Sequence, residues 1–252
     1  MTACTSPFVL IHGLIGSLRE LIPGFTSSGQ TALSPDLLGY GEFIDTPTET
    51  ITLPEQVEHL LRWLDSRKID TIHMIGHSVG GAIGFLFAAQ HPNRMSSFVC
   101  VEGNFTLADA FWTRTVSSMS LERVEGMMNE FLADPAAWLA RSGIGGSAAN
   151  IAMAERLLRN QPGNTVLQMA KSVVSITGQP RYLEIVRAVL DAGVPLHLLA
   201  GERSRGEWNV PGWVEARAAS QTIIPETGHM MMVEKPREFV AAVEAAILKL
   251  SE

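Results

Sequence analysis

Cysteine is scarce: Cys4 and Cys100 are the two in 252 residues. Cys4 is expected in a frayed N-terminus and Cys100 in an apolar strand, so no disulfide is expected and a reducing compartment fits. Basic blocks are also missing. Lys and Arg number 19 against 26 Asp and Glu, a net charge of −7, which speaks against nucleic acid or an anionic membrane surface as partner. No apolar run approaches the roughly 18 residues of a bilayer span. The opening MTACTSP lacks the basic start and long apolar stretch of a secretion signal, so a cytoplasmic location is expected. Metal-ligand spacing is absent, and no organic cofactor is implied. What remains is an ordinary globular composition, 46% hydrophobic and 18% charged. The length suits one large α/β domain or two small ones.

Strand and helix signals alternate along most of the chain. PFVLIHG is a short apolar run ending in a turn glycine, as in a strand buried on both faces. TALSPDLLGYG gives a second, weaker strand. TLPEQVEHLLRWLDSRK predicts a helix, with Thr52 and Glu55 as a capping box, Pro54 in the first turn and Val57, Leu60, Leu61 and Leu64 on one face. IDTIHMIGHS and SSFVCVEGN predict strands around the helix VGGAIGFLFAAQHP, and VPLHLLAGE and SQTIIPETGH predict two more. A helix from about Pro236 closes the chain, with Val240, Val243, Ile247 and Leu250 on one face. This pattern predicts a parallel sheet with helices on both faces. It breaks between about Phe105 and Asp191, where helical patterns rich in Met, Trp and Phe surround the glycine-rich SGIGGS at 142–147. Residues 105–191 therefore predict a helical cap, with 1–104 and 192–252 forming the core. The bland alternative for Trp112, Phe131, Trp138 and their neighbours is that they only pack the cap itself.

Glycine is costly in regular structure, yet Gly76, Gly80 and Gly81 surround one serine in IGHSVGGAIG. Gly76-His77-Ser78-Val79-Gly80 fits G-x-S-x-G between a strand and a helix, where a sharp turn lifts the hydroxyl above the carboxyl edge of the sheet. The helix N-terminus behind it offers free N–H groups and a positive dipole end to an oxyanion. The bland alternative is glycine packing at a tight turn; the nucleotide loops G-x-G-x-x-G and G-x-x-x-x-G-K do not fit. A hydroxyl nucleophile needs a base. Of seven histidines, His59, His73, His91 and His197 fall in helices or strands and read as structural, and His77 is expected to point away from the nucleophile. His12 sits in the loop after the first strand. His229 lies in a loop after the last strand, where catalytic groups collect in open α/β sheets, and is the candidate base.

HGLIGS, PDLLGYG, GHSVGG and GHMMMVEKP, in this order, resemble the landmark segments of the α/β-hydrolase family over nearly the whole chain. The resemblance implies an α/β-hydrolase fold with Ser78 as nucleophile and His229 as base. It also implies an oxyanion hole made by the backbone N–H groups of Leu14 and Val79. Two departures stand out. Only about seven residues precede the strand ending in HG, so about six parallel strands are expected, with the N-terminal strands trimmed. The place where family members commonly carry the triad aspartate is Ser204. Some members place the acid after the preceding strand, and there this chain has Glu102. Glu202 is the second candidate, and an ion-paired Glu102 without a catalytic role is a third possibility.

The resemblance implies cleavage of an ester-like small molecule through an acyl-enzyme. The cap composition suggests an uncharged, moderately hydrophobic substrate. A serine nucleophile argues against dehalogenase and epoxide hydrolase chemistry, which use aspartate in this family. Thioesterase, lactonase, carbon–carbon bond hydrolase or perhydrolase chemistry remain open, as do a ligand-binding receptor and a noncatalytic interaction protein.

Overall fold

Parallel strands joined by helices bury both of their faces, and here the first strand, β1 (Phe8–Ile11), is buried at every position. The computed structural model describes residues 6–248; Cys4 and Leu250 lie outside them. After β1 the chain runs through α1 (Ile22–Ser27), β2 (Ala32–Leu33), α2 (Leu53–Ser66), β3 (Ile72–His77), α3 (Val79–Gln90) and β4 (Met95–Val101). Six helices follow without an intervening strand: α4 (Phe111–Ser117), α5 (Leu121–Ala133), α6 (Pro135–Arg141), α7 (Ala148–Arg159), α8 (Gly163–Thr177) and α9 (Pro180–Asp191). The alternation resumes with β5 (Leu196–Gly201), α10 (Gly212–Glu215), β6 (Ser220–Ile224), α11 (Met231–Glu234) and α12 (Pro236–Leu248).

The described strands form one six-stranded sheet in the order β2-β1-β3-β4-β5-β6, with every pairing parallel. From β1 the chain first moves outward to β2 and then returns across β1 to β3. Right-handed crossovers in opposite directions place α1 and α2 on opposite faces. Accordingly α1 packs with α12, while α2 packs on α3 and α3 on α9. The reversal makes the carboxyl ends of β1 and β3 a topological switch point, the place where open α/β sheets hold ligands.

Local chemistry explains the elements that frame this point. Thr52 caps α2 by accepting a hydrogen bond from the Glu55 amide at 3.3 Å, and Pro54 fits the first turn because its missing N–H would have no partner there. α3 is apolar all round and buried along most of its length, as a helix between sheet and neighbouring helices must be. Phe85 on α3 packs edge-on against Phe98 of β4, with ring centroids 5.0 Å apart, and also touches Phe105 and Tyr182. That aromatic cluster anchors the exit of β4, where Glu102 sits.

Candidate active site

Ser78 follows β3 directly and precedes α3. Its backbone adopts φ 53° and ψ −116°, a conformation that a non-glycine residue holds only under strain. Glycine is required on both sides. A Cβ at Gly76 would lie 2.5 Å from the Gly80 carbonyl oxygen, and one at Gly80 would fall on the carbonyl oxygen of Ile11. The Ser78 amide donates to Val101 of β4 at 2.9 Å, which fixes the turn to the neighbouring strand.

The exit of β1 supplies the opposite wall. His12 donates from Nδ1 to the Gly13 carbonyl at 2.8 Å, and the Tyr40 hydroxyl donates to the Leu14 carbonyl at 2.9 Å. Burial pushes the His12 imidazole down to about 4, so the ring is neutral and its Nδ1 carries the proton. With these carbonyls held, the Leu14 amide makes no hydrogen bond among the described residues. The Val79 amide opens α3 and is likewise free.

His229 follows β6. Its Nδ1 donates to Glu102 Oε2 at 2.6 Å, leaving Nε2 as the acceptor nitrogen. Glu102 caps β4 in a left-handed conformation, φ 42°, and its side chain is only 4% exposed. Its other oxygen, Oε1, accepts from the Gly201 amide at 2.9 Å and the Ser204 hydroxyl at 2.6 Å. Burial raises the carboxyl pKa, but the hydrogen bonds from His229, Ser204 and Gly201 outweigh it and hold the group below its ordinary value. Glu202 points elsewhere: it is exposed and accepts from the Glu226 amide at 2.8 Å.

The structure thus brings Ser78, His229 and Glu102 to one edge of the sheet, and Ser78 and His229 line the same two cavities. The first, of about 350 Å³, also takes in Leu14, Trp112, Phe131 and Trp138. The second, of about 200 Å³, includes Glu102, Asn104 and Trp208. His77 departs from expectation. Rather than pointing away, it lines the first cavity, packs 4.6 Å from the His229 ring and donates from Nε2 to the His229 carbonyl at 3.0 Å. Burial beside His229 drives its pKa well below the ordinary value, so a neutral ring serves as a fixed donor. Sequence reasoning also missed the supports of the β4 exit. Trp208 donates to Gly103 and Tyr182 to Asn104, each at 2.8 Å, and the Asp109 carboxylate accepts from the Phe105 and Thr106 amides. These partners lie up to 105 residues away, and no local pattern announces them.

A family model described as the alpha/beta hydrolase fold matches residues 6–177. The chain belongs to the alpha/beta hydrolase family. Haloalkane dehalogenase 1 of Mycobacterium tuberculosis is 31% identical to this alpha/beta hydrolase over 102 residues, 38% of this chain and 34% of that protein. The match therefore spans about a third of that relative's length. A Bacillus subtilis protein provisionally named 2-succinyl-6-hydroxy-2,4-cyclohexadiene-1-carboxylate synthase is 26% identical over 255 residues, 92% of this chain and 86% of the other. A solved structure from work on carboxylesterases of Nitrososphaera gargenis superposes with a TM-score of 0.75 at 18% identity, covering 99% of this chain and 92% of that one. At that identity the likeness concerns the fold. No described helix of this alpha/beta hydrolase is long and apolar enough to cross a membrane.

Proposed function

We propose that this alpha/beta hydrolase is a serine hydrolase that cleaves carboxylic esters of small to medium, largely hydrophobic substrates through an acyl-enzyme. The observation that carries the reading is the 2.6 Å bond from His229 Nδ1 to Glu102, with Ser78 at the strand–helix turn on the same cavities. In this scheme His229 Nε2 takes the Ser78 proton as Oγ attacks the ester carbonyl. The Leu14 and Val79 amides receive the oxyanion. Collapse of the tetrahedral intermediate expels the alcohol, which leaves with the proton from His229. Water then attacks the acyl group, giving its proton to His229, and Ser78 is released. Glu102 keeps Nδ1 protonated and steadies the imidazolium. Residues 105–191 serve as a cap: α4, α5 and α6 supply Trp112, Phe131 and Trp138 to the larger cavity.

One observation favours a second reading, carbon–carbon chemistry on the same three side chains: the relative named as a synthase aligns with 92% of this chain. The test joins labelling to turnover. A fluorophosphonate should form one adduct, on Ser78, and a p-nitrophenyl ester should release a burst of nitrophenol. Both should vanish in Ser78→Ala, which should still fold. Turnover of carbon–carbon substrates with no ester cleaved would move the protein to the second reading. A folded protein with unreactive Ser78 would sink both.

A further inference from the structure

The two cavities that meet at Ser78 and His229 differ in charge. The wall of the larger one is mostly aromatic and aliphatic, and among the described residues its single formally charged side chain is Arg141. The smaller one carries Asp109 and Glu207 beside Glu102, and no lysine or arginine among the described residues. The site is therefore polarised across the reacting hydroxyl.

Arg141 ends α6, with its guanidinium 4.9 Å from the centroid of the Phe131 ring. Six of the fifteen arginines, Arg19, Arg94, Arg156, Arg203, Arg205 and Arg217, are ion-paired, and of those that are not, Arg141 alone among the described residues lines the chamber with Ser78. Arg141 has no such partner among the described residues. Arg141 and Trp112 also line an outer recess of about 630 Å³ between α4, α5 and α6, whose other charged groups are Glu122, Arg123 and Glu130. The guanidinium thus stands at the boundary between the reaction chamber and the exterior. Stacked on an aromatic face, it keeps its edge N–H groups for a planar, two-oxygen acceptor. A cation that merely covers Phe131 with its stem would need no ligand, but it would not favour one substrate charge over another.

We propose that the substrate carries a carboxylate remote from the scissile bond, bound by Arg141, and that the part lying in the smaller, acidic cavity is not anionic. This rests on the serine hydrolase reading for the position of the reacting bond, and it replaces the uncharged substrate suggested by cap composition. The carboxylate can belong to the acyl or the alcohol half, and the test covers both.

Monomethyl esters of dicarboxylic acids from succinate to suberate are compared with the matching ω-carboxamide methyl esters. Acetyl esters of ω-hydroxy acids are compared with their carboxamides in the same way. At the best length kcat/KM should favour the acid by about 10-fold or more, the scale of one charge-assisted pair. The ratio should fall as salt rises, approach one in Arg141→Gln and partly survive in Arg141→Lys. An acid-to-amide ratio of one or less at every length in both series overturns the proposal, as does a preference that Arg141→Gln leaves intact. The same compounds are titrated calorimetrically into Ser78→Ala, so that binding is read apart from turnover. Tighter binding of the acid, lost in Ser78→Ala/Arg141→Gln, supports the inference even where no ester is cleaved; equal binding of acid and amide sinks it.

Discussion

A carboxylate moved from one strand end to the next must find a new set of donors, and Glu102 has three: His229 Nδ1, the Gly201 amide and the Ser204 hydroxyl. Ser204, three residues past the end of β5, lies where the family resemblance led one to expect an aspartate, and its hydroxyl donates to Glu102 instead. On the proposed mechanism, Glu102→Gln keeps the shape but removes the charge that orients and stabilises the imidazolium. Its kcat for ester cleavage should drop roughly 10³- to 10⁴-fold, as acid removals do in other triads. Glu202→Gln should stay within a few-fold of the parent, because among the described residues the Glu202 side chain reaches only the Glu226 amide. A crippled Glu202→Gln beside an active Glu102→Gln would reverse the assignment. At this scale glycines at strand ends singled out Ser78, His229 and Ser204 in the sequence, and the structure places the first two on the same cavities. The use of Ser204 as a donor was not legible. It depends on β4 and β5 lying side by side, with Val101 opposite Leu199, a pairing that no local pattern encodes. His77 escaped for a similar reason, because its partner lies 152 residues away.

The start of α3 is pressed against two strand exits. A Cβ on Gly80 would fall on the Ile11 carbonyl oxygen, and one on Gly81 would lie 2.5 Å from the Gly103 Cα. Both neighbours are backbone, so neither can rotate aside. Gly80→Ala should therefore lower stability by about 1–3 kcal/mol, as overpacking does, and should also slow fluorophosphonate labelling of Ser78, whose turn it distorts. Gly126, in the middle of α5, meets nothing within 4 Å of a built Cβ. Gly126→Ala should raise stability by about 0.5–1 kcal/mol through helix propensity. Urea unfolding midpoints of the two variants should move in opposite directions, and a shift of the same sign would break the packing argument. The elements with strong signals, α2 with its cap and the apolar strands, were readable from periodicity. β2 shrinks to two residues at the sheet edge, pairing with β1 at Ala32 and Leu33. The one-turn α11 was missed, since four residues cannot display a helical period.

At the scale of the molecule, the alternation of strand and helix was enough to expect a parallel sheet, and the crossover rule restricts how its strands can be ordered. The shape of the cavities was not legible, because it depends on how α4, α5 and α6 settle over the sheet edge rather than on the pattern of any one helix. The pH dependence of folding also belongs to this scale, because it sums buried groups from separate elements. Burial holds His12 and His197 near 4, against an ordinary value of 6.5, and pushes His77 down in the same direction. The unfolded chain takes up these protons below about pH 6.5 and the folded chain does not, so their contribution to stability is complete above 6.5 and is lost as pH falls toward 4. Asp109 opposes them. Burial raises its carboxyl to about 6 from 3.8, so between about pH 6 and 4 it is the folded chain that holds the extra proton. His12 and His197 less Asp109 leave about one net proton, and His77, His59 and His73, all lowered by burial, with Glu102, held below its ordinary value by its hydrogen bonds, add to it. Stability should therefore fall by at least about 1.4 kcal/mol per pH unit from pH 6 to pH 4. Asp109→Asn removes the opposing proton and should steepen that fall by about 1.4 kcal/mol per unit. Urea unfolding of both proteins at half-unit steps measures the two slopes. Equal slopes would show that the Asp109 carboxyl titrates as it does in the unfolded chain, and a flat profile would show that the buried imidazoles gain protons without unfolding.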